Sequence, residues 1–391
     1  MNRYDVIILG AGAAGLMCAL TAGQRGRRVL LLDHLDQPGA KIIISGGGRC
    51  NFTNLHAAPD RYLSANPHFA RSALGRYTQH DFIALVEKHG IPYHEKTLGQ
   101  LFCDRSAKGI VRMLLDECTA GSVDLRLSHR VIDIRRADAF EVETDRGRFA
   151  APRLVLATGG PSIPKMGATG FAYDVARRFG LKIVEPRPAL VPLTLGAETL
   201  AAARALAGVA VEGVVGAGKA RFREAVLFTH RGLSGPAILQ ASSYWRHREP
   251  VTIDLAPDLD ALDFLKGRKR ERPKAEPKSL LAEVLPARLA QAVAEELKLD
   301  GAVANLPDRT LALVADRIKR WSFVPTGTEG FAKAEVTAGG VDTAELSQKT
   351  LEARKAPGLH IIGEAVDVTG WLGGYNFQWA WASGWCAGQA V

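Results

Sequence analysis

An α/β fold, built on a doubly wound parallel sheet and interrupted by an inserted β-rich plus helical domain, is what this sequence predicts. Three observations predict it. The chain opens on a buried strand, a glycine-rich turn and a helix; its middle changes to short alternating strands and then polar helical segments; its end returns to strand and helix.

In chain order, Tyr4–Leu9 reads as a buried strand, Gly12–Arg25 as a helix and Arg28–Leu32 as a second strand. Helices are expected over Asp81–His89 and Ala107–Thr119, and short strands around Val131–Ile134, Phe140–Val142 and Leu154–Leu156. Prolines at 186, 188 and 192 mark the exit from this first domain. Beyond them Val209–Val215, Arg221–Phe228 and Val251–Leu255 read as antiparallel strands joined by glycine-containing turns, followed by helical segments to about Arg320. The last strand, Leu359–Ile362, and a C-terminal helix restore the opening pattern. The expected organisation is a discontinuous nucleotide-binding domain, 1–187 and 333–391, around an insert at 188–332.

Composition narrows the class. The chain has 391 residues, 47% of them hydrophobic, enough for two or three domains with cores of their own. A net charge of +9 suits an anionic partner or simple solubility. Cys18, Cys50, Cys103, Cys118 and Cys386 are odd in number and form no C-x-x-C, which argues for reduced thiols in a cytoplasmic protein and against zinc or dithiol redox chemistry. No H-E-x-x-H occurs, so no metal is expected. The uncharged stretches Val6–Gly23 and Trp371–Val391 are interrupted by glycines or amides and read as buried elements, not membrane spans.

Gly10-Ala11-Gly12-Ala13-Ala14-Gly15 stands between the first strand and the first helix. In such a turn Gly10 permits the bend, Gly12 lets a pyrophosphate reach the backbone, and Gly15 lets the helix close on the strand; the helix N-terminus faces the phosphates. Asp33, at the end of the second strand, can accept both hydroxyls of a ribose. This Rossmann-like fingerprint serves FAD and NAD alike. Thr158-Gly159-Gly160 and Gly363-Glu364 follow two further strands, at the sheet edge where open α/β sheets bind ligands, and Glu364 could accept hydrogen bonds from ribityl hydroxyls.

The run from Lys41 through Ser45-Gly46-Gly47-Gly48-Arg49-Cys50-Asn51 to Asn54 resembles the signature loop of the BaiN/YhiN-type flavoproteins. Thr229–Pro236, Val336–Val341 and the stretch from Gly363-Glu364 to Gly373-Gly374-Tyr375-Asn376 agree with it, so the resemblance spans the chain. It implies a glutathione-reductase-type fold, non-covalent FAD, and an oxidoreductase that reduces activated carbon–carbon double bonds; one branch of that family makes dihydrouridine in ribosomal RNA. It places Lys41, Ser45, Gly46, Gly47, Arg49, Cys50 and Asn51 at the cofactor with Gly373, Gly374, Tyr375 and Asn376. A helix starting near Tyr375 would stabilise negative charge on a reduced flavin. The chain departs from the family pattern at Trp371-Leu372 and at Phe171-Ala172. No second G-x-G-x-x-G follows a strand, so NAD(P)H is expected only as a transient electron donor.

Cys50 and His230 are the candidate proton donors, each with a structural alternative, packing for the thiol and turn formation for the imidazole. Lys41 could offset charge on phosphate or reduced flavin. Gly213–Ala220 nearly spells a phosphate-binding loop, but Ala220 lacks the hydroxyl and a strand follows, so a hairpin is expected. The Gly232-Leu233-Ser234-Gly235 resemblance to a hydrolase elbow has its second glycine one place early. Between Lys266 and Lys278 seven cations face two carboxylates in a Pro-containing stretch, read as a flexible segment that docks RNA or as a solvated loop. The substrate is thus a small molecule or ribosomal RNA. A non-catalytic flavin-binding regulator and an amine or aminoketone oxidase are the alternatives.

Overall fold

Val6–Leu9 (β1) consists of four buried aliphatic residues because both faces of its sheet are covered. Gly12 ends the turn after it, and Ala13–Gln24 (α1) follows, buried from Ala14 to Gly23. Val29–Leu32 (β2) runs parallel to β1 with Leu9 opposite Leu32. The structure, a computed structural model describing residues 2–391, divides into two compact units, one formed by the chain up to Arg187 with Val336–Val391 and the other by Pro188–Glu335.

In the first unit, Ala40–Gly48 (α2) leads to Asn51–Asn54 (β3), which pairs antiparallel with Gln100–Cys103 (β4). Lys108–Ala120 (α3) then connects to Asp124–Arg126 (β5), and Arg153–Leu156 (β6) is followed by Phe171–Arg178 (α4). After the second unit come Val336–Val341 (β7), Leu359–Ile361 (β8) and Tyr375–Ala390 (α5). The central sheet is wholly parallel in the order β8-β6-β1-β2-β5. Its register places Leu9, Leu32, Leu156 and Ile361 in one row, so Gly10, Asp33, Ala157 and Ile362 all leave the sheet at the same C-terminal edge.

Helix α5 packs on α1 through glycines. A Cβ on Gly384 would lie 2.5 Å from the Ala14 carbonyl oxygen, and one on Gly388 2.8 Å from that of Cys18. That close approach joins the two ends of the chain and buries the uncharged C-terminal stretch, as its glycines suggest. Among the described residues no helix is long and apolar enough to cross a membrane, all five cysteines are free and buried, and no metal-binding cluster occurs.

Glu117 of α3 is buried and accepts from Lys88 Nζ at 2.7 Å and Gln24 Nε2 at 2.6 Å, with His89 Nε2 at 2.7 Å. Burial alone would raise its carboxyl; the Lys88, His89 and Gln24 contacts outweigh that and lower it to about 2. A depressed carboxyl stabilises the fold above its unfolded pKa of about 4.3 and loses that contribution as pH falls toward the folded value. Glu117→Gln should therefore cost roughly 2–3 kcal/mol at pH 7, and the gap from the parent in urea unfolding should narrow as pH drops from 5 to 3. A gap independent of pH would remove the carboxylate from the explanation.

The second unit is built on a seven-stranded antiparallel sheet and six α-helices among its described residues. The near-phosphate-loop sequence forms the expected hairpin: strands Ala210–Ala217 and Ala220–Phe228 pair, with Ala217 opposite Ala220 across Gly218-Lys219. The basic run does not form a flexible segment. Lys266–Glu271 completes the helix Ala261–Glu271, capped by the Asp260 side chain, and Pro277 starts another. Arg268 bonds to Glu271 and Glu283, Arg272 to Glu283, and Lys269 to Asp308 and the Leu306 carbonyl. Carboxylates distant in sequence fold back onto this run and offset much of its charge.

Candidate functional site

The glycine turn matches the demands of a dinucleotide loop atom by atom. Gly10 has φ +105°, and a Cβ there would strike the Ala157 carbonyl oxygen at 2.6 Å. A Cβ on Gly12 would meet nothing within 4 Å, which leaves room for a phosphate at the N-terminus of α1. One on Gly15 would sit 1.8 Å from the Gly10 carbonyl oxygen, so helix and turn touch backbone to backbone. Ala14 is buried against Gly363, where a Cβ would come within 2.9 Å of its own; Ala13 is half-buried.

Asp33 engages the backbone through both carboxylate oxygens. Its Oδ2 accepts from the Ala11 N–H at 2.6 Å and its Oδ1 from the Leu35 N–H at 2.9 Å, so it braces the turn. Oδ2 keeps a further acceptor site, whereas Oδ1 also has His34 Nδ1 at 3.4 Å. Gly39 N–H donates to the Ala11 carbonyl at 2.8 Å and thereby sets the start of α2 beside the turn.

Lys41, in the first turn of α2, and Glu364, after β8, form the charged centre. Lys41 Nζ donates to Glu364 Oε2 at 2.8 Å and to Ser162 Oγ at 2.7 Å. Glu364 Oε1 accepts from Ser162 Oγ at 2.6 Å and from the Thr337 N–H at 2.8 Å. Burial works to raise the Glu364 carboxyl, but the Lys41 ammonium and these hydrogen bonds hold it below the ordinary carboxylate range. Ser162 and Thr337 were not expected from the sequence. The Val336–Val341 segment was matched by resemblance, yet nothing local gave Thr337 a partner 27 residues away.

Around this centre two hydroxyls, Thr158 Oγ1 and Tyr173 Oη, are buried with no hydrogen-bond partner among the described residues. Gly160 separates Tyr173 from Thr337: a Cβ there would lie 2.7 Å from the Tyr173 oxygen and 2.6 Å from the Thr337 hydroxyl. Gly159, at φ +70°, faces Glu364. Open backbone at Gly12, unpaired hydroxyls and a shared sheet edge fit FAD.

The signature loop breaks helix α2. Ser45 turns extended, its hydroxyl on the Ile42 carbonyl, and Gly46 and Gly47 are left-handed. Gly46 packs on Phe102, whereas Gly47 faces open space. Arg49 is exposed and its side chain has no hydrogen bond among the described residues; its carbonyl accepts from Cys103 N–H. Asn51, with its amide in the orientation that satisfies both ends, donates to Thr53 and Leu101 and accepts from the Gly374 N–H at 3.3 Å. This contact ties the loop to the start of α5. There Gly373 and Gly374 have φ +106° and +94°, and the Gly374 carbonyl accepts the first helical bond, from Gln378. Tyr375 is buried with its carbonyl bonded to Tyr62 Oη, and Asn376 spends its carboxamide on Gly370 and on the Trp371 carbonyl. Both shape the turn before the helix.

Cys50 is fully buried, with φ +48°, and burial pushes its thiol far up. His230 is exposed in the second unit, on the turn between Ala220–Phe228 and Gly232–Ser234, where its carbonyl accepts from Arg204.

A family model described as "HI0933-like protein Rossmann domain" matches residues 4–390. The chain belongs to this family. It is 52% identical over its whole length to a "Ribosomal RNA dihydrouridine synthase" of Escherichia coli strain K12, covering 98% of that protein, and 44% identical to one of Haemophilus influenzae, covering 99%. A "3-dehydro-bile acid delta(4,6)-reductase" of Clostridium scindens is 32% identical over the full chain and 99% of the relative. A 3-ketosteroid-delta4-(5alpha)-dehydrogenase structure from Rhodococcus jostii RHA1 superposes with a TM-score of 0.51 at 14% identity, covering 99% of this chain and 97% of that one, and shares the fold. The family member described here is a flavin-dependent reductase with a Rossmann-type FAD-binding fold and an inserted antiparallel domain.

Proposed function

We propose that this reductase saturates the 5,6 double bond of a uridine in ribosomal RNA, in the cytoplasm, with NAD(P)H as transient electron donor. The observation that carries the reading is the 52% identity, end to end, to the E. coli ribosomal RNA dihydrouridine synthase, against 32% to the bile acid reductase. Bound and reduced, FAD supplies the hydride that such a saturation needs. The chain's own residues bind and orient. The Gly10–Gly15 turn and α1 hold the pyrophosphate, and Asp33 holds the adenosine ribose. Thr158 and Tyr173 would offer hydroxyls, and Glu364, fixed by Lys41, Ser162 and Thr337, would meet the ribityl chain. The start of α5 would offer its positive dipole end to a flavin edge on which charge accumulates.

The proton that completes the saturation does not come from Cys50, whose thiol touches no open space. His230 has the exposure that the role requires, on a segment shared with the resembling family. Cys50→Ala should lower stability yet leave turnover per bound flavin unchanged, whereas His230→Gln should slow turnover and leave the flavin content intact. A Cys50→Ala enzyme that keeps its flavin but loses turnover would reverse the assignment. Mass spectrometry of nucleosides from ribosomal RNA tests the function itself. Deleting the gene should remove a dihydrouridine that a plasmid copy restores, and full retention after deletion would reject the RNA substrate.

A further inference from the structure

The hairpin that nearly spells a phosphate-binding loop has a use that its sequence alone hides. At its tip lies an open hollow of about 330 Å³ lined by Gly216, Gly218, Arg221, Glu249, Pro250 and Thr252. The pairing of Ala217 with Val251 and of Gly216 with Thr252 brings the turn before Val251 alongside the hairpin tip. Arg221 and Glu249 line the hollow, with Lys219 in the hairpin turn on one side and Arg246, His247 and Arg248 just before Glu249 on the other, and Glu249 is the one carboxylate in these two segments.

The cations here differ from those of the basic helix in what they bond to. Arg223, two residues farther along the strand, is held by Glu212 and Asp258, as Arg268 and Arg272 are held by Glu283. Arg221 instead donates one nitrogen, Nη1, to the Gly218 and Ala220 carbonyls, and Arg246 uses Nη1 on the carbonyls of Ser243, Tyr244 and Trp245. A carbonyl orients a guanidinium without cancelling its charge. Lys219, exposed at the tip, and Arg248, exposed at φ +71°, make no hydrogen bond or ion pair among the described residues. The Arg221 guanidinium lies over Gly216, within 2.8 Å of where a Cβ would be, so glycine at 216 lets it keep this place in the lining of the hollow.

We propose that this corner docks the sugar–phosphate backbone of the RNA substrate, with Arg221 and Arg246 as pre-oriented forks and Lys219 and Arg248 as exposed counter-charges. The proposal rests on the ribosomal RNA reading above. Exposed Gly218, where a Cβ would meet nothing within 4 Å, leaves a phosphate oxygen room beside the backbone. The planar Arg221 guanidinium next to it can take that oxygen, and each phosphate neutralised releases counterions. The basic helix Ala261–Glu271 keeps its exposed Arg270, but its neighbours Arg268 and Lys269 are paired, so it is the weaker docking face.

The test uses the full-length, FAD-loaded protein and a transcript of ribosomal RNA, with affinity measured across a salt series. Lys219→Ala with Arg248→Ala should weaken binding at least tenfold at low salt and flatten the slope of log affinity against log salt by about 1.4–1.8. Lys266→Ala with Arg270→Ala, on the helix, should change the slope by less than half as much. Flavin content and the circular dichroism spectrum should match the parent in both. If the Lys219/Arg248 variant keeps the parent's affinity and slope, the corner is not the docking site, while dihydrouridine loss on gene deletion still supports the RNA reading. If the parent binds no RNA and deletion leaves dihydrouridine intact, both readings fall.

Discussion

Gly12→Ala should give a folded protein that cannot hold FAD, and Gly15→Ala a protein that cannot keep its first helix in place. The two glycines stand three residues apart in one motif, and the structure assigns them opposite kinds of cost. A methyl on Gly12 meets no protein atom within 4 Å, so the unliganded fold should tolerate it within about 0.5 kcal/mol, helped by the lower entropy of the unfolded chain. That same methyl occupies the space through which a pyrophosphate reaches the N–H groups of α1, and FAD affinity should fall on the order of 100-fold. On Gly15 the methyl would lie 1.8 Å from the Gly10 carbonyl oxygen, a backbone atom that cannot swing aside. Relief requires α1 to lift from the sheet edge, breaking its packing with the sheet and with α5, and should cost about 4 kcal/mol or more. Urea unfolding without added FAD, set beside flavin retention on gel filtration, separates the two. A Gly12→Ala protein that stays yellow would mean that the pyrophosphate does not approach at Gly12.

These contrasting glycines were legible in the sequence because the G-x-G-x-x-G turn is local. Strand, turn and helix lie within twenty residues, and the spacing itself encodes the geometry. The parallel sheet was legible too, since β1, β2 and β6 are short apolar runs at the expected places. What escaped was long-range pairing of polar groups. Spacing alone presents Asp33 as a ribose acceptor, because nothing in it shows that the carboxylate also bonds the Ala11 and Leu35 N–H groups. Glu364 was read as awaiting hydroxyls, although Lys41 lies 323 residues away in sequence and 2.8 Å away in space. Composition presents the run Lys266–Lys278 as flexible, and its ordered state depends on Glu283 and Asp308, which composition does not place. Resemblance groups Asn376 with the flavin ligands, and only the folded chain shows that its carboxamide also shapes the turn at Gly370. Apolar periodicity gives the fold in each case; the partners of charges emerge only once distant segments meet.

Lys41→Met should destabilise the protein by about 2–3 kcal/mol at pH 7, and the loss should shrink as the solution is acidified. Glu364 is partly buried, its side chain 20% exposed, and without the ammonium its carboxylate keeps only the Ser162 and Thr337 donors. Both members of the pair retain some access to water, which holds the cost below that of a fully buried break. In the parent the folded carboxyl is depressed, so its contribution is present above the unfolded pKa of about 4.3 and is lost on acidification through the lower folded value. Removing Lys41 takes away the largest opposing cause and leaves burial, which raises the group. A raised carboxyl has its stabilising effect in full below the unfolded pKa and loses it as pH rises through the folded value. The variant should therefore gain on the parent between pH 7 and pH 4. Adding Glu364→Gln removes the stranded charge while the amide oxygen still accepts from Ser162 and Thr337. The double variant should recover to within about 1 kcal/mol of the parent and lose the anomalous pH slope. Urea unfolding at saturating FAD across that pH range measures all three proteins alike. A Lys41→Met deficit that stays constant with pH, or a double variant no better than the single, would show that Lys41 acts by packing on α2 and not by holding the Glu364 charge.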